Sequence, residues 1–147
     1  MNMTKYVMLI ALLVGPIGCA STRQYVPIPD QNISIENPDN VRIYVMRPTS
    51  FGGGIATTIK DGSEEIGATG PGGYLCWERK PGKTVITGIA ENHSNVDLEA
   101  DKGKAYYIFQ HIRIGFFIVR NKMELLSDEE GKTILKKCKA PKKIDRR

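Results

Sequence analysis

The sequence predicts a mainly β protein: an antiparallel β-sandwich with one short C-terminal helix. Three observations carry that reading. Apolar and polar residues alternate in short runs, as in Val41-Arg42-Ile43-Tyr44-Val45-Met46-Arg47, and such runs recur at spacings of about 8–12 residues. Turn chemistry separates them, at Asp61-Gly62, Gly70-Pro71-Gly72-Gly73 and Pro81-Gly82. A capping box, Ser127-Asp128-Glu129-Glu130, opens a helix near the end of the chain.

Val41 to Arg47 is the clearest strand, with Val41, Ile43 and Val45 on one face and Pro48 as its stop. Phe51-Gly52-Gly53-Gly54 is a flexible loop. It has neither the Lys-Ser/Thr ending nor the following helix of a phosphate cradle. Ile55 to Lys60 and Ser63 to Thr69 flank Asp61-Gly62, a two-residue hairpin signal. With those two residues at the centre of the turn, Ile55, Thr57, Ile59, Ile66 and Ala68 share a face, Glu64 being the one intruder. Tyr74 to Arg79 and Thr84 to Ala90 continue as a meander through a type II turn at Pro81-Gly82. After the polar loop Glu91 to Asn95, Val96, Leu98 and Ala100 alternate with Asp97 and Glu99. Lys102-Gly103-Lys104 turns the chain into the longer, more apolar run Ala105 to Ile114. Phe116-Phe117-Ile118-Val119 is dense enough to be a buried strand or an exposed contact, and Met123 to Leu126 is a last short strand. The helix carries Ile134, Leu135 and Cys138 on one side and stops before Pro141. Gly131 weakens it by about 1 kcal/mol relative to Ala.

Ahead of the strands, Lys5 precedes the apolar run Tyr6 to Ile17, followed by Gly18-Cys19-Ala20-Ser21. As a helix that run covers only about 18 Å, against about 30 Å for a bilayer core. It therefore reads as an export signal rather than a permanent span. Gly18-Cys19 matches the end of a lipobox, with Pro16 where Leu is usual, so residues 1–18 are a lipoprotein signal peptide and Cys19 the lipidation site. Ordinary cleavage before Ser21 is the alternative. Two or more acyl chains give stable membrane attachment where one does not. Residues 19–40, with Pro27, Pro29 and Pro38, read as a flexible tether, residues 41–139 as the sandwich, and residues 140–147 as a basic disordered tail.

The 147 residues carry 21 Lys+Arg against 16 Asp+Glu, a net charge of +5 concentrated at the C-terminal end. An exported protein seldom meets nucleic acid, so anionic lipid or cell-wall polymer is the expected neighbour of that tail. With Cys19 acylated, Cys76 and Cys138 are a candidate disulfide that would close a loop of about 62 residues, and the sequence leaves their pairing open.

The lipoprotein leader, Val41 to Pro48, Asp61-Gly62, Lys80-Pro81-Gly82-Lys83 and Lys102-Gly103-Lys104-Ala105-Tyr106-Tyr107 together resemble domain-of-unknown-function family 2846. These are small bacterial lipoprotein domains similar in outline to PEGA-type and carboxypeptidase-regulatory-like β-sandwiches. The resemblance covers about residues 41–138 and implies a β-sandwich at the cell envelope. It carries over no catalytic residues.

Catalytic patterns are sparse. The two histidines, His93 and His111, form no metal-ligand spacing with Cys76 and Cys138, and no Gly-x-Ser-x-Gly elbow occurs. Trp77, Tyr74, Tyr106 and Tyr107 suit a sandwich core better than a sugar- or peptide-binding face. The expectation is a non-enzymatic, lipid-anchored envelope protein without cofactor or metal, facing the periplasm from the outer membrane and meeting an envelope protein or wall component. Phe116, Phe117, Ile118 and Val119 are its candidate contact. The alternatives are an exported wall or glycan enzyme using a histidine, or a thiol- or metal-handling protein using Cys76 and Cys138.

Overall fold

Alternating strands must bury one side each, and two sheets facing one another satisfy that demand. The computed structural model describes residues 20–116 and 118–144. Its strands are β1 (Arg23–Gln24), β2 (Val41–Arg47), β3 (Thr57–Asp61), β4 (Glu64–Thr69), β5 (Gly73–Arg79), β6 (Gly82–Ile89), β7 (His93–Ala100), β8 (Ala105–Ile114), β9 (Val119–Leu126) and β10 (Lys142–Lys143), with helix α1 (Asp128–Leu135) after β9. One sheet runs β10-β1-β4-β3-β6-β7 and the other β5-β2-β8-β9. The chain is a mainly β sandwich with one short helix near the C-terminal end. Its sheets are mixed rather than antiparallel, because β2 pairs β8 in parallel and β1 pairs β10 in parallel. After β3 and β4 the chain returns as β5, antiparallel to β2, and a second excursion through β6 and β7 of the other sheet brings β8 back parallel to β2.

Val41, Ile43, Val45, Ile59, Ile86 and Ile108 fill the space between the sheets. The opposite face of β2 is covered too: Tyr44 and Met46 join Tyr74, Cys76 and Tyr107 beneath α1. Every residue of β2 is therefore buried. Helix α1 begins with the predicted capping box on Ser127 and Glu130. It approaches so closely that a Cβ on Gly131 would lie 2.1 Å from the Tyr107 ring. The glycine lowers helix propensity and is required by the packing.

The strands define two ends. At one lie Ala20, residues 48–56, 70–72 and 90–92, and Gly115, Phe116 and Ile118 of the β8–β9 connection; Ala20 N–H donates to Gly53 O at 2.8 Å there. At the other lie residues 62–63, 80–81 and 101–104 and the start of α1.

Several expectations need correction. The 19–40 tether is packed around Thr22, Gln24 and Pro29, while residues 30–39 are mostly exposed and tied to the sheet by hydrogen bonds to Glu78 and Arg42. Gln24 is buried, donating to Cys76 O at 2.6 Å and accepting from Cys76 N–H at 3.0 Å. Glycines make room for it: a Cβ on Gly67 would meet Arg23 O at 2.2 Å, and one on Gly73 would meet Thr22 Oγ1 at 1.9 Å. The disordered tail is a strand at Lys142–Lys143, paired to β1; residues 145–147 lie outside the described residues. The hairpin turn is centred on Gly62-Ser63, since Asp61 pairs Glu64. Gly62 takes φ 58° as the first central residue of a II′-type turn does. A bulge between Ile59 and Lys60 then restores Ile59 and Ile66 to the core but buries Thr69 in place of Ala68. Pro81 does not close a hairpin, because β5 and β6 belong to different sheets. His93 lies in β7 rather than in a loop.

Candidate binding cleft

The alternate residues of β2 that the core does not use, Arg42 and Tyr44, face a cleft of about 470 Å³ toward the Ser127 end. Ser34 and Ile35 wall one side, Gly103, Lys104 and Tyr107 another, and Asp128 and Lys132 of α1 the third. Tyr44 and Tyr107 stack with centroids 5.0 Å apart and planes within 5°. Parallel neighbours in one register place the two rings side by side.

Arg42 holds the cleft together. Its Nη2 is 2.8 Å and its Nε 3.2 Å from Glu78 Oε1, while Nη1 donates to Ile33 O at 2.6 Å. The Glu78 carboxylate also accepts from Glu36 N–H at 2.7 Å and Asn37 N–H at 3.4 Å. Burial opposes ionisation of Glu78, but these N–H donors and the guanidinium outweigh it and hold the carboxyl below its ordinary value. Lys104 pairs with Asp101 at 2.8 Å, and Lys132 pairs with Asp128 one helical turn back. Burial raises the Tyr44 hydroxyl well above the usual phenol range, so it stays a neutral donor beside Gln31 Oε1 at 3.3 Å. Both rings are buried against each other, so what the cleft offers a ligand is the exposed ammonium groups of Lys104 and Lys132, to which a negative group can bind in competition with Asp101 and Asp128.

The residues singled out from sequence do not converge here. Cys19 and Phe117 lie outside the described residues. Cys76 and Cys138 are free thiols, the first buried and the second half-buried, so the candidate disulfide is not formed. Burial pushes both thiols up to about 11, leaving them protonated at neutral pH and weak as nucleophiles or ligands. Phe116 and Ile118 are exposed and Val119 half-exposed, at the tip of the β8–β9 hairpin. Trp77, Tyr74 and Tyr107 are buried, and Tyr106 half-buried. His93 is exposed on β7; His111 Nε2 lies 2.9 Å from Glu124 Oε1 on the open face of β8 and β9, outside the cleft. Among the described residues no group of three or more His, Cys, Asp or Glu side chains is placed to hold a metal ion, and no helix is long and apolar enough to cross a membrane. Sequence reasoning missed Arg42, Tyr44, Lys104 and Lys132. The readable signal was β2 itself, whose second face, Tyr44 and Met46, is as apolar as its first and so demands a cover.

No protein-family model matches the chain. An uncharacterised protein of Haemophilus influenzae is 26% identical over 99 residues, which span 67% of this chain and 59% of that protein.

Proposed function

We propose that the chain is a lipid-anchored cell-envelope protein that binds or supports another envelope component and carries out no chemistry of its own. The observation that carries this reading is the leader, in which a short apolar run after Lys5 ends at Gly18-Cys19-Ala20-Ser21. Acylated Cys19 would be the first residue of the mature protein, and Ala20 rather than Asp after it favours the outer membrane, facing the periplasm. The cleft beside Tyr44 and Tyr107 is then the recognition surface, and its exposed lysines, Lys104 and Lys132, suit a ligand with an anionic group. A mainly β sandwich is also what the resemblance to small lipoprotein domains implies. Mass spectrometry of the mature protein tests the anchor: the expected result is a diacylated or triacylated Cys19, and an unmodified thiol there overturns the reading. Capture of a defined envelope partner, lost on Tyr107→Ala, tests the recognition surface.

An exported enzyme is the second reading, favoured by one observation, the contact between His111 and Glu124. Hydrolysis of wall or glycan substrates that disappears on His111→Ala would establish it in place of the first.

A further inference from the structure

The most exposed large apolar side chains among the described residues gather at the Ala20 end. Phe116 is 96% exposed at the tip of the β8–β9 hairpin, and Ile114, Ile118 and Phe51 are each about half exposed. Arg113 and Arg120 stand opposite one another at the base of that tip, both exposed. Among the described residues neither has a carboxylate partner. Like charges facing across a ladder repel, and an anion placed between them removes the repulsion. His111 and Lys122 form the next pair down. Lys139 and Lys142 are exposed near the same end, their N–H groups donating to Gly72 O and Thr22 O. The carboxylates of Asp61, Glu64, Asp101, Asp128 and Glu129 sit at the other end. Glu91 lies at the Ala20 end, where its carboxylate accepts from Val119 N–H at 2.7 Å.

We propose that the Ala20 end is a membrane-contacting face, in which the β8–β9 tip enters the headgroup layer of an anionic bilayer and Arg113 and Arg120 take lipid phosphates. An apolar tip ringed by arginines matches a bilayer interface, apolar inside and anionic outside. The tip can enter at little backbone cost, because Gly115 N–H already donates to Ile118 O at 2.8 Å. The entry point of the chain argues for lipid over a second copy of the protein. Ala20 is bonded to Gly53, next to the loop that carries Phe51, and a Cβ on Gly52 would touch Ile112, two residues before Ile114. An acylated Cys19 would therefore deliver its chains beside the same residues. In that respect the inference rests on the proposed anchoring, and it turns the cleft at the Ser127 end away from the membrane.

The test uses the full chain, processed in its host and reconstituted in phosphatidylcholine–phosphatidylglycerol vesicles with brominated acyl chains. Phe116→Trp places an indole at the tip, and Val85→Trp places one on β6 toward the opposite end; the native Trp77 is buried and serves as a constant background. The expected result is blue-shifted emission and loss of most of the signal for Phe116→Trp, with neither for Val85→Trp. Adding Arg113→Ala and Arg120→Ala shifts the tip out of the layer by about fivefold per arginine and restores emission. An indole at 116 that is unquenched in an acylated chain overturns the inference and leaves the anchor standing. A chain without acyl groups overturns the anchor, while quenching by added vesicles still decides the tip. A blue shift in vesicle-free protein that grows with protein concentration assigns the tip to a second copy, and one independent of concentration assigns it to a contact within the same molecule; both overturn the proposal.

Discussion

Two buried arginines on one strand show how placement decides what a charge does. Arg42 and Arg47 both belong to β2 and both are buried. Arg42 has Glu78, and the pair ties residues 33–37 to the sheet. Breaking a buried pair from one side costs about 3–5 kcal/mol because a charge is stranded. Glu78→Gln should accordingly lower the unfolding free energy, measured by urea titration at pH 7, by an amount in that range. The pH dependence has a definite sign. The Glu78 carboxyl sits below its ordinary 4.5 in the folded protein, so its contribution is present above pH 4.5 and is lost as the pH falls through the depressed value. The Glu78→Gln protein should show a flatter acid limb, and urea titrations between neutral and acid pH measure it. Arg47 has no carboxylate partner among the described residues. Its fork donates to the carbonyls of Ile55 at 2.6 Å, Phe51 at 3.1 Å, Gly52 at 2.9 Å and Thr69 at 3.4 Å, and burial lowers its pKa. Four carbonyls spread around a planar fork cannot all be reached by one ammonium. Arg47→Lys is therefore expected to cost about 2–4 kcal/mol through unpaired carbonyls, with hydrogen exchange rising across residues 51–55.

At the scale of elements, the parts set by local chemistry were legible and the parts set by distant contacts were not. The Ser127 capping box and the span of β8 follow from residues adjacent in sequence, and the structure has them where the pattern placed them. Asp61-Gly62 marked the right hairpin with the wrong centre. Positive φ is needed at Gly62 in either register, and only the fit of Ile59 and Ile66 to the core selects the bulged one. The crossing from β5 to β6 was unreadable because Pro81-Gly82 serves a change of sheet as well as a hairpin. Within the cleft, Tyr107 was named among the aromatics, whereas Lys104 and Lys132 come to line one cleft only when α1 is laid on β8. Gly131 shows the difference sharply. Propensity alone makes Gly131→Ala stabilising by about 1 kcal/mol. The Tyr107 ring lies where the new Cβ would go, and overpacking a tight contact costs about 1–3 kcal/mol. The net expectation is a lower melting temperature with α1 displaced, readable by thermal denaturation and by tyrosine fluorescence.

For the whole molecule, the sharpest question is whether the sandwich begins at residue 41, where the strong alternation starts, or at residue 20. Pro27, Pro29 and Pro38 make the intervening segment look incapable of building a core, and in isolation it is. It borrows a core instead: β1 pairs Arg23 and Gln24 with Ala68 and Gly67, Gln24 satisfies both backbone groups of Cys76, and Thr22 lies over Gly73. Without it β4 becomes an open edge, β10 loses the strand it pairs with, and Arg42 loses its bond to Ile33 O. Each buried group left unpaired costs about 1–3 kcal/mol, and several such losses together reach the whole stability of an ordinary domain, about 5–15 kcal/mol. A chain starting at residue 20 should therefore unfold cooperatively in urea, while one starting at residue 41 should show no cooperative transition. Equal midpoints for the two would make the segment a tether after all. The body of the protein would then hang about twenty residues from any anchor at Cys19, rather than resting against it.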